Sequence, residues 1–158
     1  MPMPLPLPLP AELLHHTDAA LLLDQLLCLE DGRLAARLVV RSGTAFSDAS
    51  GNLPCWVGPE IMAQAIAALS GYRSLRDNGR PAAIGLLLGV RSYQADRHEF
   101  TVGETLDVEV VESLQDDAGR AVFDCRISRS GATVASGALT VFQPPDDSFL
   151  AGESERDD

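Results

Sequence analysis

Two short stretches of this chain hold the residue types that acid–base chemistry needs. The first is Leu14-His15-His16-Thr17-Asp18-Ala19-Ala20-Leu21-Leu22-Leu23-Asp24, which carries two of the only three histidines in 158 residues. A histidine in a loop ahead of an apolar segment sits at the lip of a core. Imidazole titrates near neutrality, so His16 can act as a general base. On composition alone a solvent-exposed histidine pair with no role is the favoured reading. Adjacent side chains on extended backbone point apart, so only one of the two is expected to face a pocket. The pair lacks the helical or hairpin spacing of metal ligands and no acid–cysteine cluster completes it, so no metal site is expected.

The second stretch is Pro54-Cys55-Trp56-Val57-Gly58-Pro59-Glu60-Ile61-Met62-Ala63-Gln64-Ala65. Glu60 falls in the first turn of a helix, where a carboxylate commonly does no more than offset the helix dipole. The next charged residue along that helix is Arg73, however, so Glu60 opens onto the most apolar part of the chain. A carboxyl at the mouth of a dry core is costly unless it is hydrogen-bonded or used. Desolvation and the dipole act on such a group in opposite directions. The backbone N–H groups from Cys55 to Gly58 lie at the helix start, where free donors can polarise a carbonyl oxygen as negative charge develops. An ordinary capped terminus is the alternative. Cys55 could also be a nucleophile, but no histidine accompanies it in sequence and a packed thiol is the simpler reading. His98 lies in the polar run Asp96-Arg97-His98-Glu99 and reads as solvated, and Trp56 and Tyr93 read as packing residues.

The elements that must position these residues can be read from periodicity and turn signals. Leu21 to Glu30 is apolar and ends at Asp31-Gly32, a two-residue hairpin signal, and Arg33 to Arg41 follows as its partner strand. A Gly-, Ser-, Asp- and Asn-rich loop runs from Ser42 to Pro54. Pro59 then opens a helix that stops at Asn78-Gly79-Arg80-Pro81. From Ile61 to Ser70 this helix has no charge and Gln64 is its only amide, so it has no polar face and must be buried. Alanines 63, 65, 67 and 68, with Ser70 and Gly71, leave room for something to approach its backbone closely. Four strands follow, Ile84 to Ala95, Thr105 to Ser113, Ala121 to Ser128 and Thr133 to Gln143, joined by meander-type turns. Two strands, one buried helix and four strands are satisfied by an antiparallel sheet curling around a single apolar helix. No internal repeat is present.

Length and composition bound the function. A chain of 158 residues with 46% hydrophobic and 22% charged residues makes one domain with its own core. No apolar run reaches the roughly 18 residues of a membrane span. The net charge of −11 disfavours non-specific nucleic-acid binding. All 12 basic residues are arginine, so lysine Schiff-base and P-loop chemistry are excluded. Three scattered cysteines fit neither a disulfide framework nor a zinc ribbon, and the expected compartment is a reducing cytoplasm. Residues 1–10 alternate Pro with Leu and Met and are expected to form an extended arm rather than a signal peptide. Residues 146–158 are acidic and are expected to be a disordered tail, leaving residues 11–145 as the folded domain.

Taken together and in order, the two stretches resemble the hotdog-fold β-hydroxyacyl-acyl carrier protein dehydratases. Leu14 to Asp24 resembles that family's Leu-Pro-His-Arg-x-Pro-x-Leu-Leu-x-Asp segment, with His16 on the catalytic histidine and Asp24 on the following aspartate. Pro54 to Ala65 resembles its Pro-Gly-x-x-x-x-Glu-Ala-Met-Ala-Gln helix start, with Glu60 on the catalytic carboxylate. Leu88-Gly89-Val90 to Gly103-Glu104 resembles its third strand and Pro-Gly-Asp turn. The match is nearer still to the dehydratase-like proteins of aryl-polyene pigment clusters, which share Trp-Val-Gly-x-Glu-x-Met-Ala-Gln (Trp56 to Gln64) and a Leu-Thr-Val-x-x-Pro-Pro end (Leu139 to Pro145). Departures include Thr17 after the histidine and Cys55 in place of a glycine.

The resemblance implies an α+β hotdog fold that pairs as a homodimer, or as a heterodimer with another hotdog subunit. It implies dehydration of a 3-hydroxyacyl thioester, carried on the phosphopantetheine arm of an acyl carrier protein, to a trans-2-enoyl thioester, with no cofactor. His16 would take the C2 proton. Glu60, from the other subunit, would protonate or orient the C3 hydroxyl, and the N–H of Cys55 would stabilise enolate charge. Trp56, Gly58 and Gln64 join Cys55 as the expected substrate-binding residues. An acidic carrier would need a positive patch, for which Arg73, Arg76, Arg80, Arg91 and Arg97 are available. A hotdog thioesterase, which would not need His16, and a non-catalytic partner subunit are the rival readings.

Overall fold

The computed structural model describes residues 6–16, 18–80 and 85–143. One helical turn, α1 (Pro10–Leu13), precedes a hairpin of β1 (Gln25–Glu30) and β2 (Arg33–Val39). After a loop come β3 (Leu53–Pro54), a 3₁₀ turn (Cys55–Val57) and the long helix α2 (Gly58–Asn78). The strands β4 (Leu86–Ala95), β5 (Glu99–Phe100), β6 (Thr105–Gln115), β7 (Arg120–Arg129) and β8 (Ala132–Phe142) complete the chain. Six strands form one antiparallel sheet in the order β1-β2-β6-β7-β8-β4, and β3 pairs with β5 in a small second sheet. The fold is therefore α+β, with one helix lying against one sheet.

Period-two burial explains how the sheet meets the helix. Leu34, Ala36 and Leu38 of β2, Leu106, Val108 and Val110 of β6, and Phe123, Cys125 and Ile127 of β7 all point inward. They meet Ile61, Met62, Ala65, Ala68 and Leu69 of α2 in one core. Each fully buried aliphatic side chain there contributes roughly 1.5–3 kcal/mol by leaving water. The outer face of the same strands is charged, with Arg37 on Asp107 and Arg33 on Glu109. The helix ends where expected: Gly79 adopts a left-handed φ of 66° and its N–H caps the Leu75 carbonyl. The expected close approach to the helix occurs at Gly71, where an added Cβ would lie 2.4 Å from the Leu13 carbonyl oxygen.

Three sequence expectations change. The first strand begins at Gln25, not Leu21. Leu22 and Leu23 are both buried, and consecutive inward side chains are incompatible with strand alternation. The loop from Ser42 yields the short β3, which pairs with β5, a partnership too brief to show in periodicity. Pro10, expected in an extended arm, is buried and opens α1, where its missing N–H is harmless. The start of the arm, the acidic tail and Ile84 lie outside the described residues.

Candidate active site

The segment after α1 runs back along α2 toward its first turn, and this brings the two acid–base candidates together. His16 Nε2 lies 3.3 Å from Glu60 Oε1, with side chains 30% and 32% exposed. The expectation that Glu60 would come from another subunit is corrected here: the pair meets within one chain. The cause is the packing of α1 on Gly71, which carries residues 14–16 over the helix start. His16 Nδ1 is buried and has no hydrogen-bond partner among the described residues.

One turn along α2, Gln64 is fully buried. Its Oε1 accepts the Leu22 N–H at 2.9 Å. Its Nε2 donates to the Ala20 carbonyl at 2.8 Å and to Glu60 Oε1 at 3.0 Å. The amide thus ties the 20–22 segment to the helix and holds the carboxylate. It was expected to bind substrate; in the structure both Nε2 hydrogens and one acceptor position of Oε1 are taken by these three partners.

A cavity of about 220 Å³ opens beside the pair. His15, His16 and Glu60 give it a polar end, Ala63, Ala67 and Ser70 form its helical floor, and Leu13, Leu14, Ile66, Val141, Gly85 and the start of β4 at Leu86 and Leu87 wall it. Ala63, Ala67 and Ser70 recur every three or four residues and so share one helix face. Both histidines line the cavity, against the expectation that one would point away, because residues 14–16 are not in a regular strand.

The other expected substrate-binding residues lie elsewhere. The Cys55 N–H, expected as an oxyanion donor, is committed to the His98 carbonyl at 2.9 Å through the β3–β5 pairing. Trp56 is 67% exposed and does not line the cavity. Gly58 is buried against Tyr93, whose hydroxyl oxygen would stand 1.9 Å from an added Cβ. Tyr93, read from the sequence as a packing residue, donates to the Cys55 carbonyl, and burial pushes its phenol up to about 12. It reaches that position through an irregularity in β4, where Ser92 takes a left-handed φ of 54°. Asp24 accepts the Val39 N–H at 2.7 Å and pairs with Arg41, so it fastens the start of β1 to the end of β2.

Of the arginines expected at a docking patch, Arg73 is paired with Glu112 and Asp31, Arg76 with Asp77, and Arg97 with Asp96 and Glu104. Among the described residues no group of three or more His, Cys, Asp or Glu comes together to hold a metal. No helix among them is long and apolar enough to cross a membrane.

Comparison with known proteins agrees with this fold. The family described as ApeP-like, ApeP dehydratase, matches residues 8–151. The chain is similar to a chain of the dehydratase heterocomplex ApeI:P from Xenorhabdus doucetiae, with 28% identity and a TM-score of 0.83, covering 92% of this chain and 97% of that one. It shares its fold with the phenylacetic acid degradation protein PaaI of Thermus thermophilus, at 20% identity, a TM-score of 0.56 and 75% and 91% coverage. It also shares it with a hypothetical thioesterase from Streptococcus pneumoniae solved with coenzyme A, at 17% identity, a TM-score of 0.58 and 76% and 90% coverage. The sheet folded against one helix is the hotdog fold that the sequence led us to expect. No match was found among the curated proteins.

Proposed function

This chain belongs to the ApeP-like dehydratase family, and on that premise we propose that it dehydrates a 3-hydroxyacyl thioester to the trans-2-enoyl thioester. The observation that carries the reading is the His16–Glu60 pair at 3.3 Å on the lip of an apolar cavity. His16 takes the C2 proton, and the electrons of the C2–H bond become the C2–C3 double bond. The C3–O bond breaks as Glu60 delivers a proton, and water leaves. The proton then held by His16 returns to Glu60 across their contact, so the pair resets without an outside acid. Each group is expected to contribute roughly 10²–10⁴-fold. The slot along Ala63, Ala67 and Ser70 takes the acyl chain, and the thioester arrives on the pantetheine arm of an acyl carrier protein, in aryl-polyene or fatty-acid-like synthesis in the cytoplasm.

The protein acts in this reading as one half of a hotdog pair. Leu86, Leu87, Leu88 and Val90 are 39–54% exposed on β4, which pairs with β8 on one side only. An apolar sheet edge of this kind is unstable in water unless covered. A second hotdog subunit pairing along β4 covers it and closes the cavity beside Leu86 and Leu87. The heterocomplex similar to this chain supports such a partner. The cavity and its acid–base pair favour a catalytic role over a purely supporting one.

The test is to offer 3-hydroxyacyl thioesters to the purified chain, alone and with its hotdog partner, and to follow enoyl thioester formation. Loss of dehydration in His16→Ala supports the assignment. Thioester hydrolysis that survives His16→Ala would instead identify a thioesterase. No turnover by the complex, or turnover by the complex that survives His16→Ala, overturns the reading.

A further inference from the structure

We propose that Arg91 selects the partner of this chain: the subunit that pairs along β4 carries a carboxylate facing Arg91, and a second copy of this chain is the weaker occupant of that edge. The inference rests on the reading of β4 as the pairing edge and goes beyond it by naming the chemistry of the partner. β4 ends the sheet and pairs only with β8. Arg91 is the one charged residue in Leu86–Ala95. Its neighbour Val90 lies opposite the fully buried Leu139, so Val90 belongs to the inner face. Side chains alternate along a strand, so Arg91, opposite Ala138, stands on the outer face.

The rest of the outer face shows what such an arginine meets. Arg37 of β2 lies directly across from Asp107 of β6 and donates to it at 2.8 Å. Arg126 of β7 lies across from Glu109 of β6 at 3.5 Å, and Arg33 of β2 reaches the same Glu109 at 2.6 Å. Each of these cations has its carboxylate on the adjoining strand. β8 sets only Ala138 opposite Arg91, and the next carboxylate in that row is Asp124 on β7, two strand spacings or about 10 Å away. Among the described residues the Arg91 side chain holds no ion pair and no hydrogen bond. Its other flank is the open edge, so the adjoining strand that can supply a carboxylate is the partner's. A second copy of this chain does not supply one. A two-fold axis perpendicular to the sheet keeps the outer faces together and brings the copy's own Arg91 onto the same side. Arg91 sits near the middle of β4. Pairing centred on Val90 or Arg91 sets the two arginines opposite one another or one diagonal step apart, at roughly 5–8 Å between Cβ atoms. Like charges there oppose pairing, whereas a carboxylate favours it.

The first arm of the test uses the full chain as its own probe. Arg91 is exposed, so Arg91→Ala and Arg91→Glu are expected to fold. In sedimentation equilibrium at low salt, Arg91→Ala is expected to self-associate about 2- to 5-fold more tightly than the wild type. Wild type mixed with Arg91→Glu is expected to form the mixed dimer about 3- to 10-fold more tightly than the wild-type homodimer, the gain fading at about 1 M salt. The second arm uses the complex with the hotdog partner. Arg91→Glu is expected to weaken that complex about 10-fold. The chain has no lysine of its own. In Arg91→Lys a carbodiimide, which joins an amine to a carboxylate in contact, is therefore expected to link the introduced amine to an Asp or Glu on the partner's facing strand, read by mass spectrometry of the digested complex. A link confined to this chain's own carboxylates, no link in an intact complex, or equal affinity in the charge-swapped mixture overturns the proposal. Leu88→Glu separates the two claims. If it leaves the complex intact, β4 is not the pairing edge and both fail; if it breaks the complex while the Arg91 variants change nothing, only the role of Arg91 fails. Neither arm reads turnover, so the dehydratase assignment stands or falls on its own assay.

Discussion

The meeting of His16 and Glu60 inside one chain makes a prediction that a site shared between subunits does not. The perturbations are His16→Asn, Glu60→Gln and the double variant. Each single change is expected to lower kcat by roughly 10²–10⁴-fold. The losses are not expected to multiply, because the groups touch. As His16 gains the C2 proton and Glu60 gives up its own, the two become a charged pair, which at the observed 3.3 Å attracts by about 1 kcal/mol in water-like surroundings and about 5 kcal/mol at an effective dielectric near 20. With 30% and 32% of the side chains exposed, screening places the coupling near the lower end, at about 1–2 kcal/mol. The double variant is then expected to lose roughly 5- to 30-fold less than the product of the single losses. The assay is single-turnover enoyl formation at saturating thioester. Mixing gives a second reading. Unfolded and refolded together, His16→Asn and Glu60→Gln chains put a defect in every site, so activity is expected to stay at the single-variant level. Were the two residues contributed by different copies in a two-fold pair, random mixing would rebuild one site in half the dimers and restore about a quarter of wild-type activity. Restoration on that scale, or strictly multiplicative losses, would refute the intrachain pair.

Other consequences follow from particular contacts. Gly58→Ala drives a Cβ into the Tyr93 hydroxyl and is expected to cost about 1–3 kcal/mol, read as a Tm fall of roughly 3–10 °C. Tyr93→Phe removes the hydrogen bond to the Cys55 carbonyl and should cost about 1 kcal/mol, visible as a shift in the denaturant midpoint without a change in slope. Glu104 gives the pH dependence. Burial opposes its ionisation, but the Thr101 N–H, Arg97 and Arg129 outweigh burial and hold its carboxyl below the ordinary 4.5. A depressed folded-state value means that its stabilisation is present above pH 4.5 and is lost as the pH falls through the folded value. Glu104→Gln should therefore lower Tm at neutral pH and flatten its fall below pH 4.5, and a parallel acid profile in the variant would count against this account. Leu88→Glu places a charge on the exposed edge of β4 and should shift sedimentation from dimer toward monomer while leaving the monomer's helical signal intact.

The sequence by itself determined the elements whose signal is local. The uncharged run from Ile61 to Ser70 could only be a buried helix, and Gly79 had to end it. The inward alternation of β2, β6 and β7 was written in Leu34 to Leu38, Leu106 to Val110 and Phe123 to Ile127, because a strand's two-residue period needs no partner to be visible. His16 and Glu60 were legible too, as a histidine before an apolar segment and a lone carboxylate heading an apolar helix. What they did together was decided only in three dimensions. The chain folds back on α2 because Gly71 has no Cβ to hold Leu13 away, and this sets His16 on Glu60 of the same copy. The β3–β5 pairing uses the Cys55 N–H that would otherwise be free, and two backbone groups more than 40 residues away fix the Gln64 amide. Contacts of this kind depend on which distant backbone arrives at a given side chain, and a linear pattern of residue types holds no record of that.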